Sequence, residues 1–482
     1  MKMKKNHNSS FKRSLLVGLI TLSAVFVSCD HELDINSDPN NPTEAPLATL
    51  LSASEVNLTY TLGGDGTRIP ATIVQHYAGH RGQPLNYGQY NITSADTDGL
   101  WGNLYDVLMD LKTIEDRTIV SGDKIYLGIS QVLKAYTFSV ATDLFGDIPY
   151  NESSKGALGN ITPAYDKQEV IYPALITTLD QAIANLKSGA GAKPSTADLI
   201  YNGDIVKWEA FANSLKLRLL NHLSKKNPTQ ALSFLQTNPS LIATVTNNAK
   251  VTFGTVANNA NPIHQFDVLS GRKDNAVCKT LVDNMKSLND PRISKYFLPV
   301  TNNNSGLAGQ YLGNLPGNDT DDSGENLFSR VGPSYASINS PVILLSAAEV
   351  EFIKAEIYFR ANDLSNSKIA YEKAIANDFA ALGVTDATYI TNPLVAFNNT
   401  LARIMEQKWI TMYQASYESF VDWRRTGFPI LTTPKTNRTG GVTPRRLPYP
   451  QIEINVNRAS LQAGPGIPVP YVTLLTKVWW DN

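Results

Sequence analysis

Apolar residues recur at intervals of three and four along most of the chain, a spacing that places them on one face of an α-helix. The clearest stripes run through residues 125–136, 175–186, 208–219 and 401–412. Each stripe predicts a helix that buries one face against its neighbours. The hydrophobic pattern therefore predicts a mainly α-helical fold.

Residues 345–379 contain two further stripes, which are separated by Asn362-Asp363 and predict a helical hairpin. Its small and aromatic residues fall at the offsets that the tetratricopeptide repeat requires. These residues are Ala355, Tyr358, Ser367, Tyr371 and Ala374. Phe379 stands where that repeat closes on proline, and no strict period of about 34 residues is present. An unrelated helical hairpin is the alternative interpretation.

The helical pattern weakens between about residues 227 and 345, where Asn, Gly, Ser and Pro become frequent. The segment VTFGTV (251–256) is a candidate for a short strand. Residues 424–470 form a second loop-rich zone. Long loops on a rigid scaffold commonly carry binding residues, so we expect the ligand-binding region in the segment 227–345.

The N-terminus has the succession of basic, apolar and small residues that is typical of a secretion signal. Basic residues 2–13 precede an apolar run at 15–27, which is short for a membrane span of about 20 residues. Ser28-Cys29 follows, as in a bacterial lipoprotein signal, and a plain signal peptide is the alternative. We predict a lipoprotein signal peptide at 1–28, a tether lipidated at Cys29 over residues 29–46, and one helical domain over residues 47–482.

Composition and charge exclude several classes of protein. The chain has 482 residues, 42% of them hydrophobic, which is typical of a globular protein. The first 28 residues hold five cations and no acid, so the remaining chain has 37 cations against 43 acids, a net charge of −6. Nucleic-acid-binding proteins usually carry an excess of basic residues, so this net negative charge argues against nucleic-acid binding. Cys278 is the only cysteine besides Cys29, and its apolar helical surroundings predict a buried, unreactive thiol.

Several segments together resemble the SusD/RagB family of outer-membrane lipoproteins, especially its second SusD-like subgroup. They include LDINSDPNNPTEA (33–45), VLKAYTFSVATDLFGDIPYNES (132–153), LLSAAEVEFIKAEIY (344–358), YESFVDWRRTGFP (417–429) and KVWWDN (477–482). The resemblance implies a helical, tetratricopeptide-containing protein that is lipid-anchored at the cell surface. It also implies a role in collecting ligand for a SusC-like TonB-dependent transporter.

Two residue pairs suggest chemistry that we do not favour. His76 and His80 are spaced as a zinc ligand pair on a helix, but no third histidine is nearby, so we expect hydrogen-bonded structural histidines. Asp143 and Asp147 could serve as the acid pair of a glycosidase. Gly146 and Pro149 indicate that the helix ends there, and we expect both acids to stabilise that turn.

The sequence also suggests a calcium site. Asp319, Asp321 and Ser323 occupy positions 1, 3 and 5 of an EF-hand loop, with Gly324 at position 6. Arg330 stands at position 12, where a bidentate Glu is required, so a complete EF-hand is excluded. A solvated acidic turn is the alternative, and we expect no other cofactor.

Sugars bind by stacking their C–H faces on aromatic rings while polar side chains hydrogen-bond their hydroxyl groups. Tyr87, Tyr90 and Tyr311 are flanked by Gly and Asn, which predicts exposed rings on loops. Trp101 either joins them or is part of a helix stripe with Tyr105. The candidate ligand-binding residues are Arg81, Tyr87, Tyr90, Trp101, Asn103 and Tyr311.

These expectations combine into one functional hypothesis. We expect a non-catalytic lipoprotein of the outer membrane that binds a nutrient, most plausibly a glycan, at the cell surface. Its partners would be the glycan, a SusC-like transporter and outer-membrane lipid, with no nucleic acid. The alternatives are the same scaffold with a peptide or other non-sugar ligand, and an exported hydrolase, although the G-x-S-x-G motif is absent.

Overall fold

The computed structural model describes residues 44–301, 306–320, 327–464 and 466–482. Helices dominate these residues, which confirms the mainly α-helical prediction. The helices are α1 (Leu47–Gly63), α2 (Asp65–Ile73), α3 (Gly82–Gly88), α4 (Asp98–Ser121), α5 (Lys124–Phe145), α6 (Gln168–Ser188), α7 (Ile205–His222), α8 (Gln230–Gln236), α9 (Pro262–His264), α10 (Lys279–Ser287), α11 (Ile293–Tyr296), α12 (Pro333–Ala336), α13 (Ala347–Arg360), α14 (Leu364–Leu382), α15 (Leu401–Thr411), α16 (Ser416–Thr426), α17 (Gln451–Val456) and α18 (Arg458–Ala463). The strands are β1 (Ala249–Thr252), β2 (Phe297–Leu298), β3 (Arg330–Val331) and β4 (Pro341–Leu345).

The predicted stripes become the core faces of the helices. The stripe in α5 consists of Ile125, Ile129, Val132 and Tyr136, and all four residues are buried. Helix α5 packs against both α4 and α6. The side chain of Asp123 accepts a hydrogen bond from the Tyr126 amide and so caps the start of α5. Asp204 caps α7 in the same way. Residues 47–482 form one compact unit.

Helices α13 and α14 form the predicted hairpin. Ser346 and Asp363 cap their N-termini. Ala355 and Ala374 are fully buried, and the Ser367 hydroxyl donates a hydrogen bond to the Ala355 carbonyl across the two helices at 2.8 Å. The small side chains at these positions allow the two helices to pack closely, which is the role the tetratricopeptide pattern assigns to them.

The loop-rich zones contain more regular structure than their composition predicts. Strand β1 covers only the first two residues of the predicted strand and pairs antiparallel with β4, with Val251 opposite Val342. Helices α8 and α10 lie within residues 227–345, and α17 and α18 lie within 424–470. These helices are only 6 to 9 residues long, so their periodicity is too brief to stand out in the sequence.

Cys278 is buried immediately before α10, as predicted. Burial raises the pKa of its thiol to about 11, so the thiol stays protonated at neutral pH and is a poor nucleophile. Among the described residues, no helix combines the length and the apolar character that crossing a membrane requires.

Candidate functional site

Trp101 is a core residue and belongs to the helix stripe with Tyr105, not to a ligand-binding surface. Its side chain is 5% exposed and lies within a cluster of aromatic rings. The ring centroids of Tyr105 and Phe145 are 4.9 and 5.0 Å away, and those of Tyr165 and Tyr449 are 6.3 and 6.4 Å away. A ring surrounded on this scale has no face left for a ligand, so Trp101 supports the scaffold.

The exposure predicted for Tyr87 and Tyr90 is wrong, because their side chains are only 2% and 1% exposed. Residues 82–88 form the short helix α3, and two distant loops cover its end. The Gln89 carbonyl accepts a hydrogen bond from the Arg438 amide at 2.8 Å, and the backbone of Gly317 lies against Gly88. Gly and Asn around these tyrosines therefore mark a covered turn, and neither ring can stack on a ligand in this arrangement.

The other candidate residues differ in how far they are exposed to solvent. Tyr311 is half-buried against the core, so its predicted exposure is only partly right. Arg81 donates hydrogen bonds to the Asp274 carboxylate at 2.9 Å and to the Arg272 carbonyl at 2.7 Å. Asn103 is exposed on α4. Asp319 is also exposed, whereas Asp321 and Ser323 lie outside the described residues, so the calcium site stays a prediction.

Asn103 lines an open cavity of about 280 Å³ between α1, α2, α4 and the segment after α9. We call it the Tyr60 cavity, because the Tyr60 ring is 39% exposed at its wall. The Tyr60 hydroxyl donates a hydrogen bond to the Gln265 side-chain oxygen at 3.0 Å, which fixes the ring. Asp65 and Arg68 are charged residues of the wall and form an ion pair.

Guanidinium groups hold the remaining aromatic ring of this cavity. The guanidinium carbons of Arg68 and Arg272 lie 3.8 and 4.6 Å from the ring centroid of Phe266. Arg272 in turn pairs with Asp274, the same carboxylate that binds Arg81. Arg81 therefore acts on the cavity indirectly, through Asp274 and Arg272. Phe266 is half-buried between these two guanidinium groups, so Tyr60 is the more exposed ring that the cavity offers to a ligand.

Tyr60, Gln265 and Phe266 were missed by sequence reasoning. Residues 265–269 form a π-helical turn, a rare conformation that is frequent at functional sites. Phe266 lies in the predicted loop-rich segment, so the composition that identified the segment could have drawn attention to it. Tyr60 belongs to the apolar stretch of α1, and no local signal shows that its face is left uncovered.

His76 and His80 are hydrogen-bonded inside the fold, as predicted, whereas Asp143 and Asp147 bind segments other than the turn that they were expected to stabilise. Nδ1 of His76 lies 2.8 Å from the Ser416 hydroxyl, and Nε2 lies 2.9 Å from the Trp409 carbonyl. Burial lowers the pKa of His76 to about 3, so the ring is neutral. Asp143 is buried and accepts hydrogen bonds from Tyr172 at 2.5 Å and from Trp480 at 2.8 Å.

Comparison with known proteins identifies one family over most of the chain. The second SusD-like family model, described as "Starch-binding associating with outer membrane", matches residues 39–450. A solved chitin-binding protein is 25% identical, with a TM-score of 0.78 over 91% of this chain and 100% of its own. A SusD homolog from Bacteroides uniformis is 25% identical, with a TM-score of 0.75 over 90% and 99%. A chitin-binding SusD homolog from Flavobacterium johnsoniae is 24% identical, with a TM-score of 0.77 over 90% and 98%. No curated protein matches the chain.

Proposed function

The chain belongs to the SusD-like family, and from this premise we propose that it binds a glycan at the cell surface and passes it to a SusC-like TonB-dependent transporter. The family is described as starch-binding and associated with the outer membrane, and two solved structures of the same fold are named as chitin-binding proteins. The predicted lipid on Cys29, which lies outside the described residues, would hold the protein in the outer membrane.

The exposed Tyr60 ring is the observation that supports glycan binding most strongly. A hydroxyl-bearing ring that is fixed by Gln265 and open to water offers a plane on which a sugar ring can stack. Asn103 and Asp65 supply amide and carboxylate groups for sugar hydroxyls at the same cavity.

The same cavity supports binding without catalysis. Hydrolysis of a glycoside requires two carboxyl groups on either side of the scissile bond. Among the described residues, Asp65 is the only acidic residue lining the Tyr60 cavity, and it is already paired with Arg68. The carboxylates Asp143 and Asp147, which the sequence offered as an acid pair, are buried away from it in the scaffold.

Calorimetric titration of the detergent-purified protein with maltoheptaose and with N-acetylated chitohexaose tests this proposal. Truncation of a stacked ring at a binding site commonly costs more than about 1 kcal/mol, so Tyr60→Ala should weaken binding at least about five-fold. Tyr358→Ala is the matched control, because Tyr358 is a half-buried tyrosine that lines none of the cavities described here. Equal affinities of wild type and Tyr60→Ala would place the ligand elsewhere.

A further inference from the structure

A second open cavity, of about 350 Å³, lies between α10, α15 and the loop after α16. We call it the Asn284 cavity. Its volume falls within the range of about 300–1,000 Å³ that is usual for small-molecule sites. It shares no lining residue with the Tyr60 cavity, so the two are built from different parts of the fold.

One side of the Asn284 cavity is apolar and aromatic. Phe428 is half-buried in its wall, and Ile430 is 77% exposed beside it. The indole of Trp409 forms the base, where Nε1 donates a hydrogen bond to the Val74 carbonyl at 2.9 Å. Trp409 also stacks on His76 with a centroid separation of 5.1 Å, so the base is rigid.

The other side is a fixed array of polar groups around Glu406. Asn284 Nδ2 donates to one carboxylate oxygen at 3.0 Å, and Arg403 Nη1 donates to the other at 3.0 Å. These contacts leave Asn284 Oδ1 and Arg403 Nε buried without a hydrogen-bond partner among the described residues. A buried polar group without a partner destabilises a fold by about 1–3 kcal/mol, so each of them favours a ligand that supplies its partner.

We propose that the Asn284 cavity is a second glycan-binding site, and this inference rests on the proposed function. A sugar hydroxyl both donates and accepts, so hydroxyl groups of one sugar ring can satisfy Asn284 Oδ1 and Arg403 Nε once these two side chains, which line the cavity, turn the shielded atoms toward it. The C–H face of the ring would lie against Phe428 and Ile430. Arg403 and Glu406 are the only charged residues that line the cavity in the described part of the chain, and they pair with each other, which favours a neutral sugar.

Helix α2 connects the two sites. Asp65 and Arg68 at its start line the Tyr60 cavity, whereas Gln75, just beyond its end, accepts a hydrogen bond from Thr280 of the Asn284 cavity at 2.7 Å. At a rise of 1.5 Å per residue, the nine residues of α2 are about 13 Å long. A polysaccharide long enough to engage both sites would gain affinity through its effective local concentration.

Affinity electrophoresis of the detergent-purified protein in gels containing soluble starch or glycol chitin tests the second site. Asn284→Ala and Ile430→Ser should each weaken retardation by the bound polymer at least about three-fold. Tyr60→Ala combined with Asn284→Ala should weaken it more than either change alone. Ile119→Ser, which changes a similarly exposed isoleucine on α4, should migrate like the wild type. If Asn284→Ala lowers the thermal midpoint of unfolding, its weaker binding could reflect a damaged fold, and the retardation of Ile430→Ser then tests the second site.

The outcomes distinguish the second site from the proposed function itself. If Tyr60→Ala loses retardation while Asn284→Ala and Ile430→Ser behave like the wild type, the protein has one glycan site and the second is overturned. If neither polymer retards the wild type, glycan binding fails altogether and both proposals fall.

Discussion

Tyr60 and Trp101 are the two aromatic residues whose substitution separates binding from folding. Tyr60 is 39% exposed, and its hydroxyl donates a hydrogen bond to the Gln265 side chain. Trp101 has lost nearly all contact with water and touches rings from α4, α5 and the C-terminal segments. The contribution of a side chain to the free energy of folding increases with the apolar area that it buries. Trp101 should therefore stabilise the fold much more than Tyr60.

We expect Trp101→Ala to lower the free energy of unfolding by about 3–5 kcal/mol, because it leaves a cavity inside the aromatic cluster. Tyr60→Ala should change it by less than about 0.5 kcal/mol, as is usual for an exposed position. Urea denaturation of both variants measures the difference. A Trp101→Ala protein as stable as the wild type would contradict the assignment of this residue to the core.

The environments of single residues were the least predictable feature from the sequence. The flanking Gly and Asn predicted a loop at Tyr87, but Tyr87 lies in the short helix α3, and its burial depends on whether another segment covers that helix end. The loops that cover it follow it by more than 200 residues, around Gly317 and Arg438. Tyr60 shows the converse, because nothing local indicates that its helix face stays open.

At the scale of elements, the hairpin of α13 and α14 shows how small side chains set a helix contact. Ala374 is fully buried on α14, whereas Ala376, two residues later, faces solvent. The Ser367 hydroxyl reaches the carbonyl of Ala355 only because the two backbones approach closely. A larger side chain at the contact must push the helices apart or adopt a strained rotamer.

Ala374→Leu should therefore lower the free energy of unfolding by about 1–3 kcal/mol, while Ala376→Leu should leave it nearly unchanged. The pair controls for helix propensity, since both changes place the same residue on the same helix. Chemical denaturation gives the comparison. Equal stabilities of the two variants would show that close packing at Ala374 does not stabilise the hairpin.

Long helices were predictable because their signal is local and repeated over several turns, as at residues 125–136. The pairing of β1 with β4 joins segments about 90 residues apart, and nothing within VTFGTV specifies that partner. The π-helical turn at 265–269 likewise has no periodic signal of its own, yet it places Gln265 and Phe266 in the Tyr60 cavity.

At the scale of the whole molecule, buried charges join distant segments in the absence of any predicted disulfide. Arg218 pairs with Glu349 at 2.7 Å, which connects α7 to α13. Arg425 pairs with Glu356 at 2.8 Å, which connects α16 to α13. His222 lies 2.8 Å from Glu418 and 3.4 Å from Asp143, and it joins α7 to α16 and α5. Replacing one partner of such a pair with a neutral residue leaves the other as an uncompensated buried charge.

His222 should make stability fall at alkaline pH. Burial alone lowers the pKa of His222, but the charges of Glu418 and Asp143 outweigh it and raise the pKa from 6.5 to about 9. The stabilisation is therefore complete below pH 6.5 and is lost as pH rises through 9, up to about 3 kcal/mol at about 1.4 kcal/mol per pKa unit. Urea unfolding at about pH 6 and about pH 9.5 measures it.

The variant His222→Gln is the control for this pH dependence. It should be less stable at pH 6 because Glu418 loses its charged partner, and it should lose much less stability between the two pH values. A wild-type protein with equal unfolding free energies at both pH values would contradict the account of this charge.

The predicted anchor has its own test. Cys29→Ala should remove the lipid, so the protein should leave the detergent phase on partitioning and appear in the periplasm or the medium. Cys278→Ala should stay membrane-bound, because the Cys278 thiol is buried in the fold. Retention of the Cys29→Ala protein in the membrane fraction would contradict lipidation at this residue.

The central claim is that the protein binds a glycan and leaves it intact. It is tested most directly by titrating the detergent-purified protein in a calorimeter with maltoheptaose, with N-acetylated chitohexaose and with a peptide mixture, and then analysing each ligand by chromatography. We predict saturable binding of at least one of the two glycans, which is recovered at its original length. Shortened sugars would indicate a hydrolase, and binding of peptides with no binding of either glycan would contradict the claim.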